Sequence, residues 1–260
     1  MDIALICAVA LVASTLTFFS GFGLGTLLLP AFALVLPVEA AVGATAVVHL
    51  ANNLFKFALV GRHTDRRVLL RFAVPAVLAA FAGAALLTLL ARAAPLAAWS
   101  MGGRAFEIEP VKLGVAGVML AFGVLELLPA FDRLAFPPRL LPLGGVVSGF
   151  FGGLSGHQGA LRTAFLVRCG LSKQAFIATG VASACLVDLA RLPVYAAAHD
   201  TGGFAYARAH WPLIAGACVA AFAGAVLGAR LLPKVTLRGV RCTVGVLLIV
   251  LALALGSGVV

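Results

Sequence analysis

Hydrophobic residues run along this chain in long blocks, and polar residues gather between them. The apolar blocks cover 3–36, 37–60, 68–90, 111–128, 141–167, 174–197, 212–229 and 242–255. Charged or proline-rich pieces separate most of them: "GRHTDRR", "FDRLAFPPR", "AHDTGGFAYARAHW" and "RLLPKVTLRGVR". No period-two alternation is visible. Lipid accepts only helices or closed barrels, so the blocks predict membrane helices.

The first block is too long for one crossing. As one helix, 3–36 would measure about 51 Å against a hydrocarbon core of about 30 Å. Broken at "SGFGLG" (20–25), it becomes two arms of about 15–17 residues, each roughly 22–25 Å long. The arms around "SGHQG" (155–159) are shorter still. Both places predict a hairpin that enters the membrane, turns near the midplane and leaves on the same side. Glycine suits such a tip because it allows close backbone approach.

The pattern also repeats. "AAFAGA" stands at 79–84 and again at 220–225. "GATAVV" (43–48) answers "IATGVA" (177–182), and "GVML" (117–120) answers "GVLL" (245–248). "SGFGLG" and "SGHQGA" take matching places near the start of each half. Four matches in one order predict two homologous halves, 1–130 and 131–260, forming one membrane domain.

Loop charge then sets their orientation. One hairpin plus three crossings per half makes the halves inverted. Twelve Lys and Arg, within 62–71, 133–139, 168–173 and 230–241, then share one side. Arg92, Arg104, Lys112 and Arg208 take the other. Single crossings in place of hairpins would divide the charges about seven to nine, without bias. Basic loops favour the cytoplasm, so the expectation is an inverted repeat with both termini periplasmic. Trp99 and Trp211 then fall at the outer interface.

Composition agrees with this picture. The chain has 260 residues, 63% hydrophobic and 11% charged, with mean hydropathy +1.13. That excess of apolar surface excludes an ordinary soluble domain. The net charge of +10 belongs to basic loops, and no aromatic-studded basic face invites nucleic acid. Five scattered cysteines, with no CxxC or Cys/His spacing, indicate neither a disulfide framework nor zinc. The N-terminal stretch lacks a basic leader and reads as mature structure. No cofactor is called for.

Candidate chemistry concentrates at the glycine tips. The second tip carries Gly156, His157, Gln158, Gly159 and Arg162 in otherwise apolar surroundings. Free amides and the dipole at the start of its second arm favour an anion, and Arg162 adds a planar fork of donors. Snorkelling or structural pairing of Arg162 is the competing reading. The first tip, with Gly21, Gly23, Gly25 and Thr26, contributes mostly backbone. His157 is either a proton-accepting group or a packing histidine. Asp188 and Arg191 stand three apart and pair across one helical face, as a register-fixing ion pair or as a gate. His49 and Asn52 share a face, as do Asn53 and Lys56; the first three join the coupling or gate candidates, and Lys56 is expected to snorkel. Thr45 and Thr179 match between halves and either line a pathway or bond their own helices. Glu126 lies near a span end. No Ser/His/Asp elbow, HExxH or P-loop appears, so neither an enzyme nor a nucleotide-driven pump is indicated.

The chain resembles the sulfite exporter TauE/SafE family, also called toluene sulfonate uptake permeases. The likeness rests on "GFGLGTLLLPAFALVL", "AVGATAVV", "GRHTDRR" and "FAGAVLGARLLPKVTLRGVRCTVGVLLIVLAL", and covers nearly the whole chain. It implies a multi-pass permease of the bacterial inner membrane for small anions such as sulfite or organosulfonates. The expected mechanism is alternating access, coupled to protons. A channel-like anion conductor, or a membrane enzyme or scaffold, is the alternative. The Gly/Ala faces suit packing within or between subunits, so a homo-oligomer stays open.

Overall fold

A computed structural model describes residues 2–20, 24–132, 134–198, 206, 208–231 and 237–259. Its principal helices are α1 (Asp2–Ser20), α2 (Leu24–Ala33), α3 (Val38–Val60), α4 (Arg66–Ala91) and α5 (Pro110–Leu127). They continue as α6 (Leu141–Ser155), α7 (Gly159–Leu166), α8 (Lys173–Ala197), α9 (Trp211–Leu231) and α10 (Leu237–Gly256). Local chemistry sets several starts. Asp65 accepts from Val68 N at 2.9 Å ahead of α4, and Ser172 accepts from Ala175 N at 3.2 Å ahead of α8. Prolines open α5 and α6, where a missing N–H costs nothing.

Five helices, α3, α4, α5, α8 and α9, are long and apolar enough to span a bilayer. Their outer faces settle the solvent. Leu78 on α4 and Val219 on α9 are each 67% exposed, in company with Leu70, Leu89 and Leu253. The interior, by contrast, holds Ser14, Asn52, Ser148, Asp188 and Arg191 with no exposure at all. A polar inside and an apolar outside require lipid around the molecule.

Helices from early and late in the chain pack crosswise. The parallel pair α4 and α6 meets along a glycine ladder. A Cβ built on Gly145, Gly149 or Gly153 would lie 2.2, 2.0 or 2.1 Å from the carbonyl oxygens of Phe72, Ala76 and Ala80. Only glycine permits that approach, and the four-residue step of both rows keeps it in phase. The parallel pair α1 and α9 meets in the same way, with Gly224 against Leu11 O at 2.3 Å. α5 and α10 cross antiparallel where Gly123 and Gly245 face one another's carbonyls at 3.0 and 2.9 Å. Glu126 and Arg241 pair at 3.0 Å beside that crossing.

The broken first segments are present but unequal. α1 and α2 have 19 and 10 residues, α6 and α7 have 15 and 8. The shorter arms end early because turns follow them: Leu36 N bonds Phe32 O ahead of Pro37, and Gly170 takes φ +69 after α7. α7 runs back alongside α6. Phe136, which precedes α6, donates its amide to Ala164 O at 3.0 Å and stacks on Phe165 at 4.2 Å, and the Phe165 ring fills the space beside Gly144.

One short element lies outside the helices. β1 (Ala97–Met101) and β2 (Arg104–Ile108) form an antiparallel hairpin, with Met101 opposite Arg104. Gly102 and Gly103, both at positive φ, make its two-residue turn. Trp99 stacks on Phe106 and donates Nε1 to Ser257 O at 2.8 Å, tying the hairpin to the end of α10.

Candidate functional site

The two glycine tips meet. Gly25 lies in the first turn of α2, and a Cβ there would be 3.4 Å from Gly156 O and from Thr45 Cγ2, and 4.0 Å from His49 Cδ2. Thr26 is buried beside it. Gly21 and Gly23 lie outside the described residues. On the other tip, Gly156 ends α6 at φ +85, which a side chain would strain. Gly156 N returns to Phe151 O and Gly152 O, closing the helix. Gln158 N then bonds Gly156 O at 3.0 Å, and Gly159 opens α7.

The side chains of the second tip are buried and underused. His157 shares a hydrogen bond with Ser155 Oγ through Nδ1 at 3.0 Å, and its ring stacks on Phe122 at 5.4 Å. Its Nε2 has no partner among the described residues, nor has Gln158 Nε2. Gln158 Oε1 accepts a long bond from Arg162 Nη1 at 3.5 Å. Arg162 is only 7% exposed, which removes the snorkelling alternative. Gly180 on α8 leaves room for it: a Cβ there would stand 3.5 Å from Arg162 Nε.

Beside the tip runs a polar chain that crosses from α3 to α8. His49 Nδ1–H donates to Asp188 Oδ2 at 2.6 Å. That leaves Nε2 as acceptor, and Asn53 Nδ2 reaches it at 3.3 Å. Arg191 donates Nε to Asp188 Oδ1 at 2.9 Å, with Nη2 2.7 Å from the same oxygen. Its Nη1 donates to Gly152 O at 3.1 Å, and Tyr195 OH donates to Gly153 O. The expected Asp188–Arg191 pair is therefore present, enlarged by His49 and anchored on the tip.

One expectation on α3 is corrected. Lys56 does not snorkel; it is 4% exposed. Asn52, four residues before it, lies in line with it on the helix. Asn52 satisfies its surroundings when its nitrogen donates to Ser14 Oγ and Ala221 O, each 3.2 Å away, and its oxygen accepts from Lys56 Nζ at 3.1 Å. The matched threonines also diverge. Thr179 Oγ1 accepts from Asp65 N at 3.0 Å and holds the start of α4. Thr45 Oγ1 stays buried without a partner at the tip contact.

Sequence reading missed the His49–Asp188 contact, which joins positions 139 apart. A buried aspartate does signal that it needs partners, but spacing reveals only those on its own helix. Nothing marked Tyr195 as a clamp on the tip.

The formal charges do not balance. Arg162 and Arg191 are buried near one carboxylate, Asp188, and Lys56 is buried beside Asn52 on α3. Unpartnered donors and surplus positive charge in a low-dielectric interior call for an anion. A profile of the sulfite exporter TauE/SafE family matches residues 6–255.

The chain belongs to this family.

TauE/SafE membership implies membrane transport of sulfite or related anions, and members are transporters rather than enzymes. The family assignment and the five spanning helices together make this a multi-pass membrane protein. Comparison with curated proteins gives no match.

Proposed function

We propose that this TauE/SafE protein is a secondary transporter that carries sulfite or organosulfonates through a site between its two glycine tips. The observation that carries this reading is the buried Arg162, with its long 3.5 Å bond to Gln158 Oε1, beside the unpartnered Gln158 Nε2 and the first turn of α7. An oxyanion there gains two charge-assisted bonds from the guanidinium fork and amide donors from α7. Gly25 and Thr26 close the site from the other tip.

The tips belong to two re-entrant hairpins in an inverted repeat, 1–130 and 131–260. Several contacts support this. The start of α7's partner, α6, lies with the basic loop before α4, and α7 returns to that same end. α1 begins beside the start of α9, while residues 33–39 after α2 line a cavity with Glu109, Lys112 and Val259 at the opposite end. The basic end faces the cytoplasm of a bacterial inner membrane, so the termini are periplasmic. Alternating access moves one crosswise helix set against the other around the tips. Protons drive it through the His49–Asp188 pair, with Arg191, Asn52 and Asn53 as gate residues.

The test is uptake into proteoliposomes of sulfite, sulfoacetate, thiosulfate and sulfate. A transporter saturates and concentrates its anion when a pH gradient is imposed; a conductor does neither. Arg162→Ala should lower uptake at least about a hundredfold, the loss of two charge-assisted bonds. Arg162→Ala that folds and transports normally overturns the site.

A further inference from the structure

We propose that Arg191 is a positioning residue that makes the second glycine tip an anion site by neutralising the carbonyl end of α6. This rests on the transport reading above. A tip joins the C-terminus of one helix to the N-terminus of the next. The first end carries partial negative charge and the second partial positive charge, so side by side they largely cancel. An unassisted tip is a poor place to attract an anion.

Arg191 breaks that balance from one side only. Its Nη1 donates to Gly152 O at 3.1 Å, one of the last carbonyls of α6. It also lies against Gly156, where a Cβ would be 3.1 Å from Nη1, so the turn has no room for a side chain. Four residues on, Tyr195 OH donates to Gly153 O. One face of α8 thus supplies donors to successive carbonyls of α6. The guanidinium has no exposure and is held from behind by Asp188, which is itself held by His49. The charged and titratable groups facing this arrangement are Cys185, Asp188 and Tyr195 on α8, His49 and Lys56 on α3, His157 at the turn and Arg162 on α7. With the α6 end neutralised, the amides of α7, Gln158 Nε2 and Arg162 present a positive field to the site.

A purely structural Arg191 would serve only as counterion to Asp188. Sulfite–sulfite exchange across proteoliposomes separates the two roles, because exchange draws on no proton gradient. The double variant Asp188→Asn/Arg191→Gln removes both charges and strands neither. We expect it to keep cooperative thermal unfolding while its half-saturating sulfite concentration rises at least about tenfold, the scale of a lost helix-end charge interaction in a buried site. Arg191→Lys provides the second test. An ammonium lacks the planar fork that holds Asp188 and Gly152 O from two nitrogens at once, so the same rise is expected. Half-saturation within about twofold of wild type in a folded double variant overturns the proposal; should that variant not fold, the same result in Arg191→Lys does so. Wild-type protein that exchanges none of the four anions would instead overturn the transport reading.

Discussion

Replacing Gly149 by alanine tests whether the α4–α6 ladder holds the molecule together. A Cβ at this position would sit 2.0 Å from Ala76 O, and Cβ atoms essentially never come under 3.0 Å. The helices must therefore part by at least 1.0 Å, the difference between these values. The obstacle is a backbone carbonyl, so no side chain can swing away. Overpacking of this kind costs about 1–3 kcal/mol. Alanine returns about 0.5–1 kcal/mol through its better helix propensity. From the middle of each range the net loss is about 1 kcal/mol, which lowers the melting temperature by roughly 2–4 °C for a chain of this size. Gly117→Ala is the matched control: a Cβ there meets nothing within 4 Å, and the position faces outward. It should melt at or slightly above wild type. The assay is thermal unfolding in detergent, followed by helical circular dichroism. If Gly149→Ala and Gly117→Ala melt alike, the close approach of these helices is not what the packing argument requires.

Two further outcomes follow from the polar chain and the orientation. His49→Gln removes the imidazole that bonds Asp188 but keeps a neutral donor; it should retain sulfite exchange and lose accumulation driven by a pH gradient, as read by paired exchange and uptake assays. Persistent proton-driven accumulation would remove His49 from the coupling path. Single cysteines placed at positions 63 and 238 in a cysteine-free background should both react with an impermeant maleimide from the cytoplasmic side only; reaction from opposite sides would remove the inverted arrangement.

The helices were legible because lipid imposes a simple rule. Leu, Val and Ala blocks such as 68–90 had no soluble alternative, whereas the caps Asp65 and Ser172 emerge only from the structure. The tips were legible because Gly156 and Arg162 are out of place in an apolar block. The relation of the arms was less so: glycine marks a break, but the turns at Pro37 and Gly170 decide how long each arm runs. The hairpin at 97–108 was written in "MGGR", a two-residue Gly-Gly turn, yet the search for spans passed over it. The pairing of His49 with Asp188 could not be read at all, since it depends on how α3 lies against α8. Lys56 was misjudged because its distance from the helix end suggested escape to water, whereas Asn52 one turn back gave it a partner inside.

The crosswise packing of α1 with α9 has a consequence for biosynthesis. α1 leaves the ribosome early, but Trp211, the first residue of its partner, emerges long after Ser20. At about 5–20 residues per second the delay is roughly 10–40 s. Throughout that interval the groove along Leu11 and Ser14 that will receive Gly224 stands open to lipid or to whatever insertion factor is at hand. The newborn chain must hold a half-finished seam in the bilayer until its last fifth arrives, so a synthesis pause before α9 should lengthen its exposure to quality-control proteases.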